Sequence, residues 1–207
     1  MNVEELQTTN GLVIKGPLLL VPKVFSDERG FLLESWNLSQ WTEILNRFGQ
    51  QPYQFVQDNH SLSSKGVLRG LHYQLPPHPQ GKLVRCVSGE IFDVAIDLRK
   101  SSSTFLKSVG VHLTGENFKQ LWIPSGFAHG FLTLSDNAEV LYKTSDFWNP
   151  HCERSILWND SSLDIHWPSL SQIPICSPKD SDAPLVEEMI ISDFFEYIPH
   201  LFTVFLF

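Results

Sequence analysis

The sequence predicts an all-β sandwich or barrel flanked by a single clear helix. Three observations carry this. Short apolar runs separated by turn residues recur along the chain from residue 83 to residue 144. One of them alternates with period two, and only one segment repeats at helical spacing. Regular short strands at this density belong to sandwiches and barrels rather than to βαβ units.

The helix is predicted over residues 37–49. Trp41, Ile44, Leu45 and Phe48 fall at i, i+3, i+4 and i+7 and so share a face. Asn37 followed by Gln40 reads as a capping box, and Gly49 is placed to end the helix. Residues 83–87 and 91–98 are predicted strands, joined by Ser88-Gly89-Glu90 as a hairpin. In the second, Phe92, Val94, Ile96 and Leu98 alternate with Ile91, Asp93, Ala95 and Asp97, which gives one apolar face and one carrying carboxylates. Further strands are expected over 109–113, 121–123, 129–134 and 140–144. Pro168, Pro174, Pro178, Pro184 and Pro199 break the pattern later on. The expectation is therefore one domain over 1–207, with an irregular or helical tail from about residue 160.

Composition narrows the functional classes. Apolar residues make up 42% and charged residues 18%, the balance of an ordinary globular protein. A net charge of -8 argues against a general nucleic-acid binder, which needs a basic footprint. Cys86, Cys152 and Cys176 are odd in number and lack CxxC spacing, so free thiols in a reducing cytoplasm are expected. The acidic start, Met1 to Glu5, does not read as a secretory signal. The apolar run 201–207 is too short to span a membrane, which takes about 20 residues. It reads as a packed terminal strand or an association segment. The expectation is a soluble cytoplasmic protein.

Two segments group polar residues inside strand-like surroundings. One is Gly66-Val67-Leu68-Arg69-Gly70-Leu71-His72-Tyr73-Gln74, with Lys82 shortly after; the other is Ile123-Pro124-Ser125-Gly126-Phe127-Ala128-His129-Gly130-Phe131. Together they resemble the paired signature of the cupin superfamily, which implies a double-stranded β-helix (jelly-roll) barrel with a few peripheral helices. Metal-binding cupins carry a further histidine and a glutamate in the first motif. Here Gln74 stands at the histidine position and no glutamate follows, leaving His72 and His129. A transition-metal site generally needs three or more protein ligands, so no metal and no cofactor are expected. An imidazole free of metal can act as a general base near neutral pH. The plainer reading of His72, a satisfied core histidine, is weakened by Arg69, Gln74 and Lys82 close by. Strict alternation would put Arg69 and His72 on opposite faces, so a bulge near Gly70 is expected if both serve one site.

The order of five segments makes the resemblance specific. Asp27-Glu28-Arg29-Gly30, Gln57-Asp58-Asn59, Arg69 to Gln74, Gly126 to Phe131 and Ser177-Pro178-Lys179-Asp180 follow one another as in the dTDP-4-dehydrorhamnose 3,5-epimerase family. The resemblance runs from about residue 10 to 185. It implies His72 as general base paired with Asp180, Tyr142 as general acid, and Lys82 beside the ketone oxygen. Arg69 and His129 match residues lining the same pocket. Arg29, Glu34, Gln57, Asn59, Glu153 and Lys179 match positions that bind the nucleotide or its diphosphate. Arg29 matches a residue that reaches the ligand of a partner subunit, which implies a homodimer. Trp148 stands where the family usually has a tyrosine, and its indole suits stacking on a thymine ring. The end of the chain after Tyr197 does not resemble the family's tail.

The residue types suit the implied chemistry. Inverting a carbon beside a ketone needs a base, an oxyanion stabiliser and an acid on opposed faces, and no redox cofactor. The expected activity is inversion at C3 and C5 of a dTDP-linked 4-keto-6-deoxyhexose. Three alternatives stay open: inversion at one carbon of a related sugar nucleotide, a metal-dependent cupin isomerase or dioxygenase, and a non-catalytic sugar-nucleotide binder. His60, His78, His112, His151, His166 and His200 read as surface or structural residues. Trp36, Trp41, Trp122, Trp158 and Trp167 read as packing groups.

Overall fold

Two antiparallel sheets face each other in the computed structural model, and each gathers strands from distant parts of the chain. The structure describes residues 1–196. Pro199, His200 and the run 201–207 lie outside the described residues. In chain order the strands are β1 (Asn2–Gln7), β2 (Val13–Val21), β3 (Val24–Asp27) and β4 (Gly30–Leu33), then helix α1 (Leu38–Arg47). β5 (Gln57–Ser64), β6 (Leu68–Gln74), β7 (Lys82–Ser88), β8 (Glu90–Asp97) and β9 (Ser108–Thr114) follow. The series ends with β10 (Gln120–Ile123), β11 (Phe127–Thr133), β12 (Asn137–Thr144), β13 (Glu153–Ser155) and a one-turn helix α2 (Pro178–Ser181). One sheet runs β1-β2-β10-β7-β12-β5 and the other β13-β6-β11-β8-β9; β3 and β4 form a separate hairpin. This is the cupin-like barrel that the sequence motifs imply.

Alternation sorts the side chains into three apolar layers. Between the sheets, Val84, Leu121 and Val140 meet Ile91, Ala95, Val109 and Phe131. On the outer face of the six-stranded sheet, Leu18, Leu20, Leu83 and Trp122 receive Trp41, Ile44 and Leu45 of α1. On the outer face of the five-stranded sheet, Leu71, Tyr73, Val94 and Ile96 lie under Ile156, Leu163 and Trp167 of the C-terminal segment. Each such aliphatic or aromatic burial contributes about 1.5–3 kcal/mol.

The helix lies within its predicted limits, with one difference at its start. Asn37 caps it, its Oδ1 accepting from Ser39 N at 3.0 Å and Gln40 N at 3.3 Å. The reciprocal bond of a capping box, from the Asn37 N–H to the Gln40 side chain, is not made; the Gln40 amide donates to Glu34 Oε2 at 2.9 Å. Gly49, just past the C-cap Phe48, adopts φ +67°, the left-handed conformation that ends helices.

The predicted hairpin is not formed. β7 pairs with β10 and β12, whereas β8 pairs with β9 and β11 in the opposite sheet. The chain changes sheet at Gly89, where a Cβ would lie 2.1 Å from the carbonyl oxygen of Asn137. The reason is burial on both faces of β8: Asp93 and Asp97 turn inward, while Val94 and Ile96 pack beneath the C-terminal segment. Cys86, Cys152 and Cys176 are free thiols. No helix among the described residues is long and apolar enough to cross a membrane.

Candidate active site

A cavity of about 370 Å³ opens between the inner face of the barrel and the segment 175–180. Arg69, His72, Lys82, His129, Tyr142, Lys179 and Asp180 line it. Val67, Leu68, Phe131 and Ile175 supply its apolar wall.

Local backbone irregularity brings Arg69 and His72 to the same cavity. His72 stands opposite His129 and Arg69 opposite Phe131, so β6 advances one residue more than β11 between these pairs. That is the bulge expected near Gly70. Gly70 has φ +125°, and a Cβ there would lie 2.5 Å from Gly130 Cα. Only glycine allows the two strands to pass this closely.

Each of the facing histidines has its own carboxylate. His72 Nε2 meets Asp180 Oδ1 at 2.5 Å, with the Asp180 side chain 5% exposed. His129 Nε2 meets Asp93 Oδ1 at 2.6 Å, and Asp93 is fully buried. Asp93 was not singled out in the sequence; its only signal there is a carboxylate in the period-two run of β8. Lys82, on the first residue of β7, donates to the carbonyl of His72 at 3.3 Å. Arg69 is held by Ser63 Oγ at 3.0 Å and the carbonyl of Leu62 at 3.4 Å. Tyr142 enters from β12, opposite Asn59 on β5.

Burial and charge tune these groups against one another. Burial pushes the Lys82 ammonium down to about 8, against the opposing pull of Glu153 and Asp93. Burial also lowers His129 despite the nearby Asp93 carboxylate. The Tyr142 phenol is raised by burial, with Arg69 acting in the other direction. Burial alone would raise Asp180, but hydrogen bonds from His72, Ser177 and the Gly70 backbone hold it below the usual carboxylate range.

The remaining residues singled out in the sequence form a rim or stand apart. Lys179 pairs with Glu153 at 2.6 Å beside the cavity. Gln57 donates to Asn59 Oδ1 at 3.0 Å and accepts the Trp148 main-chain N–H at 3.1 Å, which anchors a loop whose tryptophan is 57% exposed. Arg29 and Glu34 do not line the cavity. Arg29 lies on the β3–β4 turn, bound to Asp27, with its side chain 84% exposed. Glu34 accepts from Asn37 and Gln40 at the start of α1.

Gln74 has a different occupation from that of a metal ligand. Its amide donates to the carbonyls of His78 at 2.6 Å and Phe147 at 3.2 Å, and its Oε1 accepts from Asn149 N at 2.8 Å. It ties down the loop that carries Trp148. Among the described residues no group of three or more His, Cys, Asp or Glu side chains is arranged to hold a metal ion.

The family model for dTDP-4-dehydrorhamnose 3,5-epimerase matches residues 11–188. The chain belongs to this family. A dTDP-4-dehydrorhamnose 3,5-epimerase of Shigella flexneri is 56% identical over 178 residues, covering 86% of this chain and 93% of the relative. The crystal structure of a family enzyme from Legionella pneumophila Philadelphia 1, in complex with dTDP-4-keto-L-rhamnose, superposes with a TM-score of 0.86. It is 43% identical, covering 96% of this chain and all of that one. The crystal structure of a double mutant of a 3'-monoepimerase from Streptomyces bikiniensis, in complex with dTDP, shares the fold at a TM-score of 0.79 and 29% identity, covering 89% of this chain and 90% of that one.

Proposed function

We propose that this chain is a dTDP-4-dehydrorhamnose 3,5-epimerase that inverts C3 and C5 of dTDP-4-dehydro-6-deoxy-D-glucose without a redox cofactor. The observation that carries the reading is the convergence, in one cavity, of a carboxylate-paired histidine, a buried lysine and a tyrosine. The 56% identity to a relative bearing that name supports it.

In this reading the C4 ketone acidifies the protons on C3 and C5. With Nε2–H donated to Asp180, the other ring nitrogen of His72 takes the proton from carbon. The C–H electron pair becomes the enolate double bond, and negative charge develops on the C4 oxygen beside Lys82. Preorganised charge at that oxygen acts strongly because the site is buried. Tyr142 then delivers its hydroxyl proton to the opposite face of the same carbon, leaving a phenolate. Proton exchange with solvent resets His72 and Tyr142, so each inversion is balanced and the net change is stereochemical.

The rim suits the nucleotide. Lys179 supplies charge for the diphosphate, Gln57, Asn59 and Glu153 supply polar contacts, and the exposed face of Trp148 stacks on thymine. Arg29 lies outside its own cavity on a hairpin whose Phe25, Phe31 and Leu32 are exposed. That arrangement supports a homodimer in which Arg29 and Glu34 serve the partner's ligand.

Proton NMR of chelator-treated protein with dTDP-4-keto-6-deoxyglucose in deuterated water tests the reading. Deuterium at both C3 and C5 is expected. Deuterium at one carbon would make the chain a single-site epimerase, and no exchange at either would overturn the enolate chemistry.

A further inference from the structure

Trp148 is exposed, and its indole makes no aromatic pair, cation–π contact or hydrogen bond with any of the described residues. Its direction is therefore set by the backbone on which it stands. That backbone is held on both sides of Trp148 by one buried side chain. Gln74, 3% exposed, donates to the carbonyl of Phe147 at 3.2 Å and accepts from Asn149 N at 2.8 Å. Its other N–H donates to the carbonyl of His78 at 2.6 Å, which ties the loop to the segment that follows β6. Two carbonyls require two N–H donors and one N–H requires an oxygen, so a primary amide matches these three groups and a carboxylate does not. Gln74 lies two residues beyond His72 on β6, and alternation puts both on one face of the strand.

We propose that Gln74 is a positioning residue for nucleotide binding: by fixing the main chain at Phe147 and Asn149 it presents the Trp148 indole to the thymine ring. The role rests on the reading above in which that indole stacks on the base. Stacking requires the ring to stay parallel to the base, and an exposed loop left to itself samples many backbone states. A loop ordered before the ligand arrives avoids that ordering cost at binding. Two duties are thus separated along one strand. His72 faces the reacting carbons, whereas Gln74 acts on the far end of the ligand, so its loss appears in affinity and not in the chemical step. Gln57 also holds the loop, through the Trp148 main-chain N–H, but it stands among the nucleotide contacts as well. Gln74 reaches the indole through the main chain alone.

The test is a double-mutant cycle on the dissociation constant of dTDP, measured by calorimetry, with Gln74→Glu, Trp148→Ala and the double variant. Gln74→Glu keeps the acceptor for Asn149 N and loses both donors; Gln74→Met, of similar length, removes the amide altogether. Either variant, once its circular dichroism matches that of the unaltered chain, should raise the dTDP Kd and the KM for the sugar nucleotide about five- to tenfold, with kcat within about twofold. In the Trp148→Ala background the same substitutions should weaken dTDP by less than about twofold, because the two residues act through one contact. Losses that add in the double variant, an unchanged Kd, or a loss confined to kcat would overturn the role. NMR of the unaltered chain supplies a readout that needs no variant to fold: the side-chain amide protons of Gln74 should exchange slowly with solvent. Exchange as fast as that of an exposed amide would also overturn the role. Full dTDP affinity in Trp148→Ala would instead remove the stacking on which the role rests.

Discussion

His72 and His129 stand directly opposite each other across the β6–β11 ladder, each bound through Nε2 to a separate carboxylate. Their environments divide their labour. His129 is buried with Asp93, and burial disfavours its charged form, with the positive charge of Lys82 adding to that effect. It forms part of the cavity wall. His72 is the more exposed of the two, with 28% of its side chain accessible, and its carboxylate partner is held ionised. In the proposed reaction the proton-abstracting role is therefore assigned to His72.

His72→Ala should lower kcat by about a thousandfold, within the range of a lost general base. The dissociation constant for dTDP, measured by calorimetry, should stay within about threefold. A variant that keeps its turnover would remove His72 from the chemistry.

Tyr142→Phe should separate the two halves of each inversion. The base remains, so solvent deuterium should still wash into the substrate, while the inverted product fails to accumulate. Unchanged product yield by NMR would transfer the acid role to another group.

In the proposed reaction Lys82 should set the alkaline side of the pH profile. Burial brings its ammonium to about 8, so it is charged below that pH and neutral above it. The kcat/KM should fall about tenfold per pH unit above pH 8, as expected when one protonated group is required. In Lys82→Arg that limb should vanish, because a guanidinium stays protonated throughout. A basic limb that survives this substitution would belong to a different group.

Leu45→Ala addresses the fold alone. Leu45 is completely buried where α1 meets the outer face of the six-stranded sheet, far from the cavity lining. Its truncation should cost about 2–5 kcal/mol in chemical denaturation. The kcat of the folded variant should be unaltered at 25 °C.

Parts of this architecture were legible in the sequence because a single physical rule governed them. Trp41, Ile44 and Leu45 obey helical spacing, and all three are buried on one face. β8 alternates strictly because it is a pleated strand. Other parts answer to rules that a linear reading lacks. β5 reads Gln57 to Ser64 with a single apolar residue, and it is an edge strand paired only with β12, so no apolar signal marks it. β2 is interrupted at Gly16-Pro17, where its register with β1 shifts and a bulge opens. The β7–β8 hairpin was expected from adjacency, yet the buried outer face of β8 draws that strand into the other sheet. At the site, the ordered motifs picked out His72 and Asp180, but nothing in them paired Asp93 with His129. That pairing depends on β8 lying next to β11.

The imidazole and its carboxylate partner lie 108 residues apart in the chain. Between them come every strand from β7 to β13, and β5 finds its neighbour only when β12 exists. During synthesis, then, the first half of the chain emerges with its base already encoded but with no partner for it. The pair of His72 and Asp180 is complete only once the turn that carries Asp180 has been made. Topologies dominated by such distant pairings fold slowly, since chain closure must precede most of the contacts that reward it. A chain ending short of residue 180 would carry His72 without its carboxylate.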